Sequence, residues 1–299
     1  MNLIKPNKLQ IGDTIGIIAP AGVVDTEKIY KAKNYFESCG YKVKLGSNIN
    51  KCQNYLAGTD EERAYDLNCA FADSEINAII CARGGYGSIR LLNKIDFDLI
   101  KKNPKILCGY SDITALSAII LKNTGLITFS GAMAQSDFAS QEIDTFTSDS
   151  FFNTLSGKEI NLSPQNSVTY LSGNAKGILF GGNLSTLTSL CGIDFIPDED
   201  FIFFAEDLNE PVYKIDRYFS QLLNIKQFKQ NIKAIILGDF LDIDDKDYFD
   251  DFFNNLAKEL NIPIISGFPI SHGLKKVTVP YGATATLENS LLKIDNFMV

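Results

Sequence analysis

The first half of the chain alternates short apolar runs with amphipathic stretches, and this alternation restricts the fold more than any other feature. Thr14 to Ala19 and Ile76 to Ala82 are nearly continuous apolar runs, as in strands that are buried on both faces. Between them, Ile29, Ala32 and Phe36 recur at helical spacing. Strands that alternate with helices predict an α/β fold with a parallel sheet. The other elements predicted in this half are strands at Tyr41 to Leu45 and Ile106 to Tyr110 and helices at Glu61 to Phe71 and Asp112 to Leu121.

The second half predicts a mixed, β-rich α/β unit. A polar stretch from about Ser148 to Asn174 separates it from the first half. The tail from Lys276 to Ile294 alternates apolar residues around turns, as a β-ribbon does. We therefore expect a first domain at residues 1–150, a linker at 151–172 and a second domain at 173–299. The other elements predicted in the second domain are strands at Lys176 to Phe180, Phe201 to Ala205, Ala234 to Leu237 and Pro263 to Ile265, and helices near Leu184 to Cys191, Tyr213 to Leu223 and Tyr248 to Leu260.

Composition and charge narrow the classes of partner. Of 299 residues, 45% are hydrophobic and 21% are charged, which is enough apolar material for a large core. The formal net charge is −8, so we expect no long-range attraction to nucleic acid or to anionic lipid. There is no run of about 18 apolar residues, and the first residues lack the apolar stretch of a signal peptide. We expect a cytoplasmic protein with no membrane or nucleic-acid partner.

The cysteines and the histidine limit metal and redox chemistry. Six cysteines are scattered without a C-x-x-C pair, which favours reduced thiols over a disulfide framework. His272 is the only histidine, so a His-rich metal site is excluded, and we expect neither a metal nor a cofactor. The aspartate-rich stretch Asp239 to Asp251 does not fit a calcium loop, because Asp247 stands where that loop needs glycine. Any step that needs an imidazole must use His272.

Ser111 stands where a predicted strand ends and a helix begins, within C-G-Y-S-D. A serine on such a turn exposes its hydroxyl beside the N–H groups of the opening helix, which suits a nucleophile. Capping of the helix is the competing explanation, and Ile113 replaces the second glycine of the G-x-S-x-G pattern. Cys108 is a poorer nucleophile, because desolvation inside the strand would raise its pKa.

Arg83 begins the glycine-rich segment R-G-G-Y-G-S, directly after an apolar strand. Glycines let the backbone approach a ligand closely and present N–H donors, as an oxyanion hole or an anion nest requires. The spacing matches neither the phosphate loop nor the dinucleotide fingerprint, so nucleotide binding is weakly indicated. A tight turn without a ligand explains this segment equally well.

Glu206 and His272 follow predicted strands of the second half. The strand Phe201 to Ala205 runs into Glu206 and Asp207, and carboxylates at the carboxyl end of a strand often line a crevice. Helix capping accounts for Asp207 and Glu210 but less easily for Glu206, which could orient an imidazole. His272 lies in a glycine-flanked loop, where its side chain can be aimed across a cleft. A lone histidine is more often a surface or packed residue, so both explanations stay open.

In their order along the chain, R-G-G-Y-G, G-Y-S-D, G-G-N-L, E-D-x-x-E-x-x-Y-x-I-D-R and S-H-G resemble the LD-carboxypeptidase family of serine peptidases. The resemblance extends from the opening I-G-D-T-I-G-I-I-A-P-A-G to V-P-Y-G-A-T-A-T-L near the end. It implies an amino-terminal flavodoxin-like α/β domain and a carboxy-terminal β-rich domain. The implied triad is Ser111 as nucleophile, His272 as general base and then acid, and Glu206 as the carboxylate that orients the imidazole.

The resemblance also implies the substrate and its contacts. The substrate would be a cytoplasmic murein tetrapeptide that loses its terminal D-alanine during peptidoglycan recycling, and the enzyme would be a homodimer. The implied oxyanion donors are the backbone N–H groups of Asp112 and Gly85, with Gly84 as the alternative. We hypothesise that Arg83 and the amides beside it, including Gly84, bind the substrate carboxylate. Asn183 of G-G-N-L is a further candidate substrate-binding residue. Lysine and diaminopimelate stay equally open as the third residue of the peptide.

Two alternatives compete with this function. A relative in the same family, the microcin C immunity peptidase, hydrolyses the amide of a peptide-nucleotide and stacks the base on a tryptophan. This chain has no tryptophan, which disfavours that substrate. A non-catalytic small-molecule binding protein would use the R-G-G-Y-G segment as an anion nest and Ser111 as a helix cap. It leaves the placement of Glu206 and His272 unexplained.

Overall fold

Residues 2–299, the part of the chain that this computed structural model describes, form two β-sheets surrounded by α-helices. The first sheet has six strands and the second has eight, and the predicted α/β class is confirmed. The strands are β1 (Thr14–Ile18), β2 (Lys42–Leu45), β3 (Ala78–Cys81), β4 (Ile106–Cys108), β5 (Thr128–Ser130), β6 (Ile160–Leu162), β7 (Thr169–Leu171), β8 (Asn174–Asn183), β9 (Phe201–Leu208), β10 (Ile232–Leu241), β11 (Ile264–Ile265), β12 (Val279–Tyr281), β13 (Thr284–Glu288) and β14 (Leu291–Ile294).

The helices pack around the two sheets, and most begin at a residue that can cap them. Asp25 accepts hydrogen bonds from the first turn of the first helix, and Thr59 and Glu62 form a capping box on the second. The helices are α1 (Thr26–Ser38), α2 (Asp60–Ala72), α3 (Phe97–Lys102), α4 (Thr114–Thr124), α5 (Ala134–Asp137), α6 (Thr145–Leu155), α7 (Leu184–Thr188), α8 (Val212–Leu223), α9 (Lys226–Asn231) and α10 (Lys246–Leu260), with 3₁₀ turns at Ser88–Lys94 and Ser111–Ile113.

The first sheet has the strand order β12-β5-β4-β3-β1-β2, and its neighbours are parallel except for β12 and β5. Ile15 and Ile17 of β1 pack into one apolar cluster, whereas Ile18 packs into another, so the sheet is buried on both faces. The carboxyl ends of β3 and β4 lie side by side, because the two strands are parallel neighbours. The Arg83 segment follows β3, and the Ser111 turn follows β4.

The second sheet has the order β6-β14-β13-β8-β9-β10-β11-β7, with parallel pairing from β8 to β11 and antiparallel pairing outside. Its centre is aromatic: Phe180, Phe201 and Phe203 are fully buried and contact one another through their rings. Glu206 lies near the carboxyl end of β9, and His272 lies in the loop after β11. The parallel pairing places both at the same end of the sheet.

The segment predicted as a linker, residues 151–172, is structured. It contains the end of α6 and the strands β6 and β7, which form the two edges of the second sheet. The sequence signal is short: Ile160 and Leu162 are buried on either side of exposed Asn161, within polar surroundings. The predicted ribbon of the tail is present as β13 and β14, but β12 joins the first sheet instead. The domain boundaries therefore stay a proposal, since the last quarter of the chain contributes to both sheets.

No helix among residues 2–299 combines the length and the apolar character needed to cross a bilayer.

Candidate active site

The turn at Ser111 is strained. Ser111 has φ 62° in the left-handed region, where a Cβ atom crowds the backbone. Within residues 2–299, each of the other non-glycine residues with positive φ is Asn or Asp, whose side chains tolerate this conformation. Such strain costs about 1–3 kcal/mol and concentrates at functional sites. The conformation is what a sharp turn from β4 into a helix requires to present a hydroxyl.

Gly84 packs directly against Ser111. A Cβ atom on Gly84 would lie 2.7 Å from Cβ and 2.9 Å from Oγ of Ser111, so any larger residue there would displace Ser111. Gly85 is exposed, and Gly84 is buried. Among the described residues, the N–H groups of Gly84 and Gly85 donate no hydrogen bond, so both are available to a ligand.

Asp112 ties the glycine segment to the serine turn. Its carboxylate accepts a hydrogen bond of 2.8 Å from the N–H of Ser88, and its carbonyl accepts one from the Ser88 hydroxyl. Arg63, which is 1% exposed, donates a hydrogen bond of 2.8 Å to the carbonyl of Gly87 and so holds the glycine-rich segment from the buried side. Burial raises the pKa of the Asp112 carboxyl. The Asp112 side chain is thus structural, and its backbone N–H is the group left for chemistry.

Glu206 and His272 form a buried pair. Nδ1 of His272 lies 2.5 Å from Oε2 of Glu206, and the Glu206 residue is 3% exposed. Burial by itself lowers the pKa of His272, but the hydrogen bond and the negative charge of Glu206 outweigh it and hold the pKa above its ordinary value. Because Nδ1 is occupied, Nε2 is the ring nitrogen free for proton transfer.

Tyr110 connects this pair with the serine turn. Its ring meets the ring of His272 edge to face, with the centroids 5.0 Å apart. Tyr110 directly precedes Ser111, so the strained turn and the imidazole are neighbours in space although 161 positions separate them in sequence. The structure therefore places Glu206 in contact with His272, and the ring of Tyr110, the residue before Ser111, against the imidazole. The catalytic roles of Ser111, His272 and Glu206 stay a prediction.

Asn183 lies behind the pair rather than in an open cleft. It is 5% exposed, its Nδ2 donates to Asp207 Oδ1 at 2.9 Å, and its Oδ1 accepts from the N–H of Thr186 at 3.0 Å. In the pairing of β8 with β9 it stands opposite Glu206. Its side-chain hydrogen bonds are used inside the fold. A substrate contact by Asn183 stays a prediction.

Two clefts are lined by residues next to Ser111 and Gly84 in the sequence. One, of about 460 Å³, is lined by Tyr110, His272 and Lys276 together with polar residues of the segment 136–147. The other, of about 500 Å³, is lined by residues of the glycine segment and two exposed tyrosines. Those lining residues are Gly22, Val23, Asn54, Tyr55, Arg83, Gly85 and Tyr86.

Arg83 faces the second cleft, and only part of its guanidinium is engaged. Nη1 donates to the carbonyl of Val23 at 3.2 Å. A guanidinium carries five N–H donors, so the others can serve an anion. Binding of the substrate carboxylate by Arg83 stays a prediction.

Sequence reasoning missed Lys276 and Asp137, a buried ion pair beside Tyr110. The two residues are 139 positions apart, and neither stands in a recognisable pattern. Among residues 2–299, no three His, Cys, Asp or Glu side chains are grouped so that they could hold a metal ion. Burial raises the pKa of the Cys108 thiol, as its position in a strand predicts.

Gly84→Ala is expected to lower turnover by about 100-fold with little loss of stability, because displacement of a nucleophile by about an ångström has an effect of that order. The φ of Gly84 lies outside the left-handed region, so the backbone itself accepts alanine. The new methyl group would collide with Ser111 alone at under 3 Å. Steady-state kinetics and a thermal melt of the same sample check this. Wild-type turnover in a fully folded variant would contradict the packing described here.

Comparisons with known proteins agree with this architecture. The family model described as the LD-carboxypeptidase N-terminal domain matches residues 15–131, and the model described as the LD-carboxypeptidase C-terminal domain matches residues 176–287. A Bacillus subtilis protein named "Probable murein peptide carboxypeptidase" is 36% identical, over 96% of this chain and 92% of the relative. The murein tetrapeptide carboxypeptidase of Pseudomonas aeruginosa is 31% identical, over 95% of each chain.

Among solved structures, the MccF-like protein of Bacillus anthracis has a TM-score of 0.90 and 30% identity, and the match covers 98% of this chain and 99% of that one. The two family models thus match residues 15–131 and 176–287, and the two relatives and the solved structure each match at least 95% of the chain. The chain belongs to the LD-carboxypeptidase family.

Proposed function

We propose that the protein is a serine carboxypeptidase that removes the terminal D-alanine from murein tetrapeptides. One observation carries the proposal: the only histidine of the chain is bound through Nδ1 to a buried glutamate, and its ring lies against the residue that precedes a strained serine. These contacts support the relation between acid, base and nucleophile that acyl transfer by serine needs. The relatives named for murein peptides support the choice of substrate.

The reaction proceeds through an acyl-enzyme. Ser111 Oγ attacks the carbonyl carbon of the L-configured centre while His272 Nε2 takes the hydroxyl proton. As the amide bond breaks, the imidazolium gives that proton to the nitrogen of the leaving D-alanine. Water then attacks the ester, again losing a proton to His272, which returns it to Ser111. Glu206 holds the ring by its Nδ1–H and stabilises the imidazolium.

The oxyanion would be stabilised by backbone N–H groups at the serine turn. Asp112 supplies one donor, and Gly85 is the proposed second, with Gly84 as the alternative. The free N–H groups of both glycines and the contact of Gly84 with Ser111 support this placement. Loss of one such donor lowers turnover by about 10²–10³-fold in related chemistry.

Arg83→Ala is expected to raise KM for the tetrapeptide by about 10- to 100-fold with little change in kcat, because a charge-assisted hydrogen bond to a carboxylate is lost equally from the ground state and the transition state. Steady-state kinetics with a peptide ending in D-alanine measure the effect. The same peptide with an amidated C-terminus should bind equally poorly to both proteins. An unchanged KM for the acid would remove Arg83 from the binding site.

The decisive experiment is mass spectrometry of the products from a muramyl tetrapeptide. The proposal predicts the loss of one alanine, with the tripeptide as the other product. Peptides with lysine and with diaminopimelate in the third position decide which the enzyme accepts. An intact tetrapeptide together with cleavage of an aminoacyl sulfamoyl nucleotide would favour the microcin-type alternative. Cytoplasmic location and a homodimer belong to the same proposal, and light scattering tests the dimer.

A further inference from the structure

A buried ion pair lies beside the candidate active site. The side chains of Lys276 and Asp137 are 4% and 6% exposed and are hydrogen-bonded to each other. Asp137 ends α5, and its other oxygen accepts the N–H of Met133 at 2.8 Å. Lys276 lies four residues after His272, and Thr147 of α6 accepts its N–H at 3.0 Å. Both partners of the pair are therefore fixed to the scaffold.

The ammonium group of this pair faces the aromatic ring that contacts the imidazole. Lys276 Nζ lies 5.1 Å from the centroid of the Tyr110 ring, and the Tyr110 ring meets His272 edge to face at 5.0 Å. A cation over the face of a tyrosine attracts the ring and restricts its orientation. Lys276, Tyr110 and His272 thus form a continuous series of contacts that ends beside Ser111.

Stability alone explains the pair poorly. Removing two charges from water costs free energy that their attraction only partly returns, and apolar residues of similar volume often serve as well. The pair lies, however, where a fixed charge acts on the catalytic base. Lys276 opposes protonation of the imidazole, whereas Glu206 favours it.

We propose that Lys276, held in place by Asp137, is a positioning residue that fixes the imidazole of His272 through the ring of Tyr110. The proposal rests on the function proposed above. The other carboxylates around His272 are Glu206 and Asp207 on β9, Asp239 on β10, which lies beside Gly273, and Glu142 and Asp144, which line the same cleft. Lys276 contacts the face of the Tyr110 ring, whereas Ser136 is hydrogen-bonded to its hydroxyl, so the two together fix the orientation of the ring.

The test uses the full chain with Lys276→Met, which keeps the length of the side chain and removes its charge. We expect kcat on the tetrapeptide to fall by about 10- to 100-fold with KM within about twofold, since the effect is on geometry at the reacting atoms. The acid limb of kcat/KM should move to higher pH, because a cation near the imidazole is lost. Lys276→Arg should retain the wild-type limb and most of kcat.

Two further variants keep the test decisive. Lys276→Met leaves Asp137 unpaired and can unfold the chain, so the double variant Lys276→Met with Asp137→Leu removes both charges. We expect it to fold and to keep the defect in kcat, with a smaller upward shift of the acid limb than in Lys276→Met. Lys293→Met is the matched control, because it breaks the exposed pair with Glu288 on the β13–β14 hairpin. It should leave both quantities unchanged.

A second measurement does not depend on turnover. His272 is the only histidine, so its Cε1 proton gives one titrating NMR resonance in tag-free protein. The pKa of His272 should rise in Lys276→Met and should rise less in the double variant, because loss of the Asp137 carboxylate acts in the opposite direction. An unchanged titration and wild-type kcat in the double variant would overturn the positioning role. If the wild-type protein did not cleave the tetrapeptide through Ser111, but the pKa of His272 still rose in Lys276→Met, only the proposed function would be overturned.

Discussion

Ser111→Ala is expected to lower kcat for release of D-alanine by about 10⁶-fold, the size of effect that loss of a serine nucleophile has in a serine protease. Without the hydroxyl no ester can form, and His272 has no proton to take from the attacking group. The remaining activity would come from the oxyanion donors and from substrate binding, which are worth about 10³–10⁴-fold over water. Substrate affinity should stay near the wild-type value, because the proposed contact of Arg83 with the substrate carboxylate does not involve Ser111.

Product mass spectrometry over a long incubation measures this loss, and intact-protein mass spectrometry adds an independent readout. Wild-type protein quenched during turnover should carry the acyl group on the peptide that contains Ser111, whereas the variant should carry none. Ser117→Ala is the matched control, because Ser117 is a buried serine one turn along α4. Turnover above about 1% of wild type in Ser111→Ala would place the nucleophile elsewhere.

The regular part of the fold follows from the sequence. β1 and β3 are continuous apolar runs because both of their faces are buried, and this periodicity is readable without a structure. The short edge strands are not readable in this way. β6 has three residues and one exposed side chain, so its local pattern is no stronger than that of a polar loop. Its conformation is decided by pairing with β14, which is distant in sequence.

The same division applies to the candidate site. The positions of Ser111, Glu206 and His272 could be predicted because each follows a strand and stands in a recognisable short segment. The contact of Gly84 with Ser111 and the ion pair of Lys276 with Asp137 could not, because they depend on how separate elements pack. Their residue types carry no local signal, since one glycine or one lysine is compatible with almost any loop.

Placement of the site between two sheets has a consequence for its electrostatics. Ser111 follows β4 of the first sheet, whereas Glu206 is in β9 of the second sheet and His272 lies in the loop after β11. The carboxylate can therefore be deeply buried in one sheet while the serine turn stays half-exposed to substrate. Burial strengthens the interaction of Glu206 with the imidazole, because little water screens it.

Glu206→Gln is expected to lower kcat by about 10³–10⁴-fold, since an amide in that position no longer selects the tautomer with the proton on Nδ1. It should also shift the acid limb of kcat/KM to lower pH. Activity needs neutral imidazole and is lost as pH falls through the pKa of His272. Burial lowers that pKa, and Glu206 raises it above the ordinary value. With the charge removed, burial is the larger influence and the pKa must fall.

The fall in kcat and the fall in the pKa of His272 report on two different roles of Glu206, which are orienting the imidazole ring and supplying a negative charge. NMR titration of the single histidine gives the pKa directly, and the pH profile of kcat/KM gives its kinetic counterpart. The control is Glu259→Gln on α10, which removes the exposed partner of Lys229 on α9. It should change neither kcat nor the pKa of His272. If kcat fell while the pKa of His272 stayed in place or rose, Glu206 would act only by holding the ring. If the pKa fell while kcat stayed near wild type, His272 would not be the general base, because its tautomer and its charge would then be irrelevant to turnover.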